Sequence, residues 1–391
     1  ERGLTELLAL EKRLTQALFK MEVYGFQLDK DYIIKERENV QRLLDKKLEE
    51  IYNIVGKRFE IAKLDEVIDA FKTLKLESPI KTPKTNKPSW AKKALQSIDH
   101  PLTHTLEQAR TLHKIKASYY DNFLDFMDKD NVIHCSFHQA GARSGRLSAA
   151  NPNLQNIIKR EDITFKGTVE EELFGKVRGA FIPRPGSFLL SVDASQIEVR
   201  IMADYAQEKS LIDAFRYGLD VHSMTAMAAY GDSSGYFRDA GKQIVFGLLF
   251  GLSVANLAPR INSTKQEAQI LMDRFFTRFP NAKSFMRDVK RVCVSRGYLK
   301  NRWGRRRYLT EQFAYRGVNF LVQSMAAEWM KSCIVRVTDL FTSFQTKLLL
   351  TVHDELIFEV PYGEATKIIP LIVAEMEKPE RLNVPIKCDV S

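Results

Sequence analysis

The chain has 391 residues, 45% hydrophobic and 28% charged, with a formal net charge of +10. At roughly 100–200 residues per domain this length holds two or three structural units, and the ordinary apolar share excludes wholesale disorder. No run of about 18 apolar residues occurs, which excludes a membrane-spanning helix, and Cys135, Cys293, Cys333 and Cys388 are too scattered for a zinc site or a disulfide framework.

Cysteine usage of this kind fits a reducing compartment, and the basic balance points to nucleic acid before membrane. Glu1 opens the chain without a methionine, so a fragment of a longer protein is expected. Residues 1–24 repeat apolar positions at helical spacing (Leu4, Leu7, Leu8, Leu14, Leu18), and Gly25 ends the pattern. Charged helices broken by short turns are expected over 30–75. Lys81–Lys93 (KTPKTNKPSWAKK) holds five lysines among prolines and polar residues. That composition predicts an exposed basic loop, by default a solvated one. Helical periodicity returns over Thr103–Met127. His134–Arg160, rich in Asn, Gln, Ser, Arg and Gly, predicts an extended functional loop region. Phe188–Val192 (FLLSV) predicts a buried strand ending on Asp193, and residues 196–340 read as mostly helical. Lys347–Val360 (KLLLTVHDELIFEV) alternates as a β-hairpin does, with His353 and Asp354 at its tip.

Three clusters carry possible chemistry. DASQIEVR (Asp193–Arg200) sets a carboxylate at a strand end, where a rigid backbone suits a metal ligand; Asp193 or Ser195 as a simple helix cap is the plain alternative. Asp354 and Glu355 are most simply a solvated acidic turn, but the apolar runs on both sides place them beside a sheet. If the two strands are neighbours, Asp193 and Asp354 can share a pair of divalent cations, and magnesium suits carboxylates combined with substrate phosphates. RDAGKQIVFGLLFG (Arg238–Gly251) puts Arg238, Lys242 and Phe246 on one helical stripe, long enough to lay two cations along a triphosphate. Its bland reading is an amphipathic core helix with solvated cations. Gly241, Gly247 and Gly251 weaken that reading, since glycine costs up to about 1 kcal/mol per helix position and instead permits close approach of a ligand or another chain.

In this order the clusters resemble motifs A, B (RDAGKQIVFGLLFG) and C (VHDEL) of family A DNA polymerases. SGRLSAANPNLQNI (Ser144–Ile157) is similar to that family's primer–template loop, and Ser97–Phe123 to the end of its thumb. The resemblance implies an α+β right-hand polymerase with an antiparallel palm sheet and helical fingers and thumb. Residues 1–23 would be an N-terminal helix joining the palm and 24–127 the thumb. The palm would be 128–204 with 326–391, and 205–325 the fingers.

It further implies that Asp193, Asp354 and the Ala194 carbonyl bind two magnesium ions, for which manganese can substitute, with Glu355 beside them. Gln196, Glu198, His222, Arg238, Lys242, Phe246 and Phe250 would meet the nucleotide, Lys242 also protonating the pyrophosphate. Arg146, Asn153, Gln155, Asn319, Gln323 and His353 would contact primer–template, and Lys81, Lys84 and Lys87 would grip the duplex. The implied partners are primer–template DNA and dNTPs, in replication or repair, with no membrane. A monomer is implied, with replication accessory proteins left open. The implied setting is the cytoplasm of a bacterial or phage-infected cell, with an organelle left open.

Several positions depart from the commonest pattern. Ala194 replaces an aromatic residue, Val245 an asparagine, Thr351 a glutamine and Phe250 a tyrosine, while Arg316 lies one residue nearer Asn319 than is typical. Phe250 cannot hydrogen-bond the ribose-excluding Glu198, so that glutamate is expected to lose a restraint. Residues 1–24 hold no Asp-x-Glu pattern for a proofreading site, and a short tail after Ser391 is expected to be missing. A single-subunit RNA polymerase, a nuclease and a catalytically silent primer–template-binding relative remain as alternatives.

Overall fold

The computed structural model describes residues 4–82, 86–90, 92–157, 169–249 and 253–391. The chain divides into two compact units, one of residues 1–24, 135–155 and 184–391, the other of 25–134 with 156–183.

Helix α1 (Thr5–Tyr24) opens the first unit and buries Leu7, Leu10, Leu14, Ala17, Leu18 and Met21, the 3–4 spacing of a single apolar stripe. The chain enters the second unit at Gly25, whose φ of +63° is a left-handed turn that a side chain would strain. Over 30–75, where charged helices broken by turns are expected, helix α2 (Lys30–Val55) is followed after a turned segment by a second helix, Leu64–Thr73. The buried stripe of α2, Ile33, Val40, Leu44, Ile51 and Val55, leaves its charged positions on the outer face. Asp29 caps its start by accepting the Tyr32 N–H at 2.9 Å, and Gly56 ends it in the left-handed conformation. Helix α3 (Pro101–Ile115) packs along α2 and continues through a π-helical turn, Lys116–Asp121, into Asn122–Phe126.

The basic stretch is only partly a loop. Lys81 bridges to Pro88, Trp90 packs on Phe71 with ring centroids 5.1 Å apart, and a short helix begins at Lys92. Lys81 and Lys87 are exposed, and Lys84 lies outside the described residues.

Back in the first unit, strand β1 (Ser187–Ala194) joins β2 (Lys347–Val352), β3 (Glu355–Pro361) and β4 (Cys388–Val390) in an antiparallel sheet of order β4-β1-β3-β2. Val192 lies opposite Leu356 and Leu190 opposite Phe358, so one face is apolar and buried. The alternate residues, Ser191, Asp193, Glu355 and Ile357, share the other face.

The helices of this unit that bear on the site are α4 (Ile197–Ala206), α5 (Val221–Tyr230), α6 (Gly235–Leu249) and α7 (Gly317–Leu340). Helix α7 is apolar nearly all round and packs against α1 and α4. From Gly317 to Val335 every residue is buried except Asn319 and Gln323, one turn apart on a single face. A buried ion cluster ties α7 to α1. Lys331 Nζ lies 2.6 Å and Arg305 Nη2 2.5 Å from Glu11 Oε1, and Arg305 also pairs with Glu328. Among the described residues no helix is long and apolar enough to cross a membrane, and all four cysteines are free thiols.

Candidate active site

The sheet fixes the acidic half of the site. In register, Asp193 sits between Glu355 on β3 and Asp389 on β4. Val352 pairs with Glu355, so His353 and Asp354 form the two-residue turn that the hairpin pattern predicts, His353 at a φ of 55°. The Asp354 carbonyl accepts the Ala194 N–H at 2.9 Å, which stitches that turn to the residue after Asp193. Glu355 is buried, and the Ser191 hydroxyl donates to its Oε1 at 2.5 Å. Neither Asp193 nor Ser195 caps a helix. Asp193 belongs to β1, and the N-cap of α4 is Gln196, in the left-handed conformation without a side-chain cap bond.

Among the described residues no group of three or more His, Cys, Asp or Glu side chains forms a ready metal cage. Two half-exposed carboxylates beside a backbone carbonyl instead match a cation that takes its remaining ligands from water and substrate phosphate. The donor set thus fits magnesium.

Glu198 lies buried in the first turn of α4, and Arg146 Nη2 donates to its Oε1 at 2.5 Å. Burial pushes its carboxyl above the usual range; Arg146 opposes this and Asp354 adds to it. Arg146 thus restrains Glu198 from a position that the sequence reading did not weigh. Phe250 lies outside the described residues, and only the backbone of Phe246, on α6, is described.

The basic half stands on a helix pair. Arg238 and Lys242 are exposed one turn apart on α6. Asp220 caps α5 by accepting the His222 N–H at 3.0 Å, and also accepts from the Ser223 hydroxyl at 2.7 Å and Arg238 Nε at 2.6 Å. Burial raises the Asp220 carboxyl, but these donors together hold it below the usual range. His222 is 4% exposed, and burial pushes its pKa down to about 4, with Arg238 and Lys242 adding to the shift and Asp220 opposing it. It is neutral at pH 7. A Cβ on Gly241 would lie 2.5 Å from the His222 carbonyl and 2.9 Å from the Ala226 nitrogen. Close approach at this glycine is thus by the neighbouring helix, a correction to the expectation of a ligand or another chain there.

Arg146, Gln155, His353 and Asp354 line one small pocket together with Lys331 and Thr351. Gln155 Nε2 donates to the Thr351 carbonyl at 3.1 Å, a backbone contact that the change from glutamine leaves intact. Asn153 is exposed and its Oδ1 accepts the Gln155 N–H at 3.0 Å. Sequence reasoning missed Ser191 and Asp389, though strand alternation signals both. It also missed Arg307, which burial and then Arg143 and Arg316 push below the usual guanidinium range; the Arg305-Arg306-Arg307 run is its signal.

Residues 30–391 match the model of DNA polymerase family A. DNA polymerase I of Streptococcus pneumoniae is 30% identical over all of this chain and 46% of its own length. The thermostable DNA polymerase I of Thermus thermophilus is 30% identical over 97% of this chain and 47% of its own length. This chain therefore spans about half the length of these relatives. The POL domain of Pol1 from M. smegmatis, solved as a complex with DNA primer-template and dNTP, superposes with a TM-score of 0.87 at 29% identity, over 97% of this chain and 69% of that one.

Proposed function

The chain belongs to DNA polymerase family A, and from that premise we propose that it is a DNA-templated DNA polymerase that extends a primer 3′-hydroxyl with dNTPs and releases pyrophosphate. The observation that carries this reading is the bond from the Ala194 N–H to the Asp354 carbonyl, which makes the two catalytic candidates neighbours at one sheet end. Asp193, Asp354 and the Ala194 carbonyl would hold two magnesium ions, or manganese in their place. When bound, these ions lower the pKa of the primer hydroxyl and neutralise charge on the triphosphate and its leaving group. Glu355, pinned by Ser191, keeps further negative potential beside them.

The remaining steps belong to the chain's own side chains. Arg238 and neutral His222 bind the triphosphate, and Lys242 Nζ delivers a proton to the departing pyrophosphate. Glu198 fills the space of a ribose 2′-hydroxyl, with Gln196, Phe246 and Phe250 completing the nucleotide's surroundings. Arg146, Asn153, Gln155, Asn319, Gln323 and His353 contact primer–template. Minor-groove acceptors are shared by A·T and T·A pairs, so contacts there test pair geometry without reading sequence. Residues 24–127 grip the duplex as a thumb through Lys81, Lys84 and Lys87, a sequence-blind and salt-sensitive contact. Residues 128–204 with 326–391 supply the palm and 205–325 the fingers. The chain acts as a monomer.

Primer extension with dNTPs and magnesium tests this reading directly. Template-directed growth of the primer is expected. Tight primer–template binding without growth would instead support the silent relative, ribonucleotide preference an RNA polymerase, and primer shortening a nuclease.

A further inference from the structure

The family resemblance places Asp220 in the D-x-H context of His222 but gives it no role of its own, and its carboxylate accepts from His222 N–H, the Ser223 hydroxyl and Arg238 Nε at once. Which donor of Arg238 it takes is decisive. A guanidinium grips phosphate best with the two Nη groups of its planar fork. A carboxylate that competed with phosphate would occupy that fork. Asp220 instead takes Nε, at 2.6 Å, and among the described residues neither Nη makes a hydrogen bond. The Arg238 side chain stays 46% exposed, so the fork opens to solvent with its plane already set. The mount is stiff, because α5 and α6 meet backbone to backbone at Gly241, one turn along from Arg238.

We propose that Asp220 is a positioning residue, holding Arg238 by Nε so that both Nη groups face the triphosphate of the incoming nucleotide. The proposal rests on the polymerase reading and assigns a residue that reading does not.

Asp220→Asn tests it, since asparagine caps a helix as well as aspartate, and with its oxygen kept on the His222 N–H it turns an amide NH2, a donor, toward Arg238 Nε. The KM for dNTP is expected to rise about five- to tenfold as Arg238 loses its acceptor, with kcat within about twofold. Inhibition by inorganic tripolyphosphate should weaken by the same factor, and the Kd for primer–template should not move. Asp220→Ser, which caps α5 but is too short to reach Arg238, should behave alike, and it decides the matter if the first variant loses stability. In an Arg238→Lys background, which lacks the Nε–Nη division, Asp220→Asn should add nothing. An unchanged KM, a lowered KM, or an equal rise in the lysine background would each overturn the proposal. Failure of the parent chain to extend a primer would instead overturn the polymerase reading.

Discussion

The sheet end and the α5–α6 pair are the two charged halves of one candidate site, and they are held in opposite ways. Asp193 has hydrogen-bonded strands on both sides, Asp354 sits in a two-residue turn, and Glu355 is pinned by Ser191. Arg238 and Lys242 project from a helix whose main packing is on its neighbour, with one carboxylate setting the arginine. Metal-assisted transfer needs ligands fixed to within about 0.5 Å, which a paired strand provides. Under the proposed function, nucleotide capture would call for an element that closes and opens, and the Asp220–Arg238 bond, made between α5 and α6, would travel with the pair.

The contrast breaks most sharply at the carboxylates. Asp354→Ala should lower primer extension by about three orders of magnitude, because several kcal/mol of metal-borne stabilisation go with it. Primer–template affinity should hold or rise slightly, since one charge that repels phosphate is removed. Extension within tenfold of the parent would show that the metals are held elsewhere. On the helix side, Gly241→Ala forces a Cβ to 2.5 Å from the His222 carbonyl, against backbone that cannot swing away. The seam must open, at a cost of about 1–3 kcal/mol, read as a lower thermal midpoint together with a raised KM for dNTP. A raised KM without lost stability would mean that the seam positions Arg238 but does not hold the fold.

The sequence carries the acidic half well, because strand alternation and a two-residue turn leave little freedom to FLLSV and TVHDEL. The basic half is half legible. The four-residue spacing of Arg238 and Lys242 gives their common face, but nothing local ties Asp220 to Arg238 across 18 positions. Glu198 is the clearest failure of local reading. Its partner Arg146 lies 52 positions away, out of reach of any local pattern.

A smaller effect separates the two halves by pH. His222 has a pKa of about 4 in the folded chain, against 6.5 for the unfolded histidine. The unfolded chain therefore binds the extra proton first as pH falls. Stability is complete above about 6.5 and declines toward 4 as the proton pulls the equilibrium to the unfolded state. Between pH 7 and pH 5 the thermal midpoint of the parent should drop by at least about 2 °C more than that of His222→Gln. Equal drops in the two would mean that other groups govern the acid limb.

Sugar selection gives the smallest shift, and it probes Glu198 on α4, whose carboxyl feels the charge of Asp354 at the sheet end. With Arg146 already bound to Glu198 at 2.5 Å, a tyrosine at 250 would add a second bond to an oriented carboxylate. A lone neutral hydrogen bond is worth about 0.5–1.5 kcal/mol, and the increment over an existing charged one is less. Phe250→Tyr should therefore raise the dNTP/rNTP ratio of kcat/KM by no more than about twofold. Arg146→Leu should lower that ratio by more than Phe250→Tyr raises it. Any shared loss of primer grip cancels, because both nucleotides are measured on one primer–template. A large rise with Phe250→Tyr alongside no change with Arg146→Leu would show that the Arg146–Glu198 bond is surrendered when DNA binds. The gate would then depend on its phenol after all.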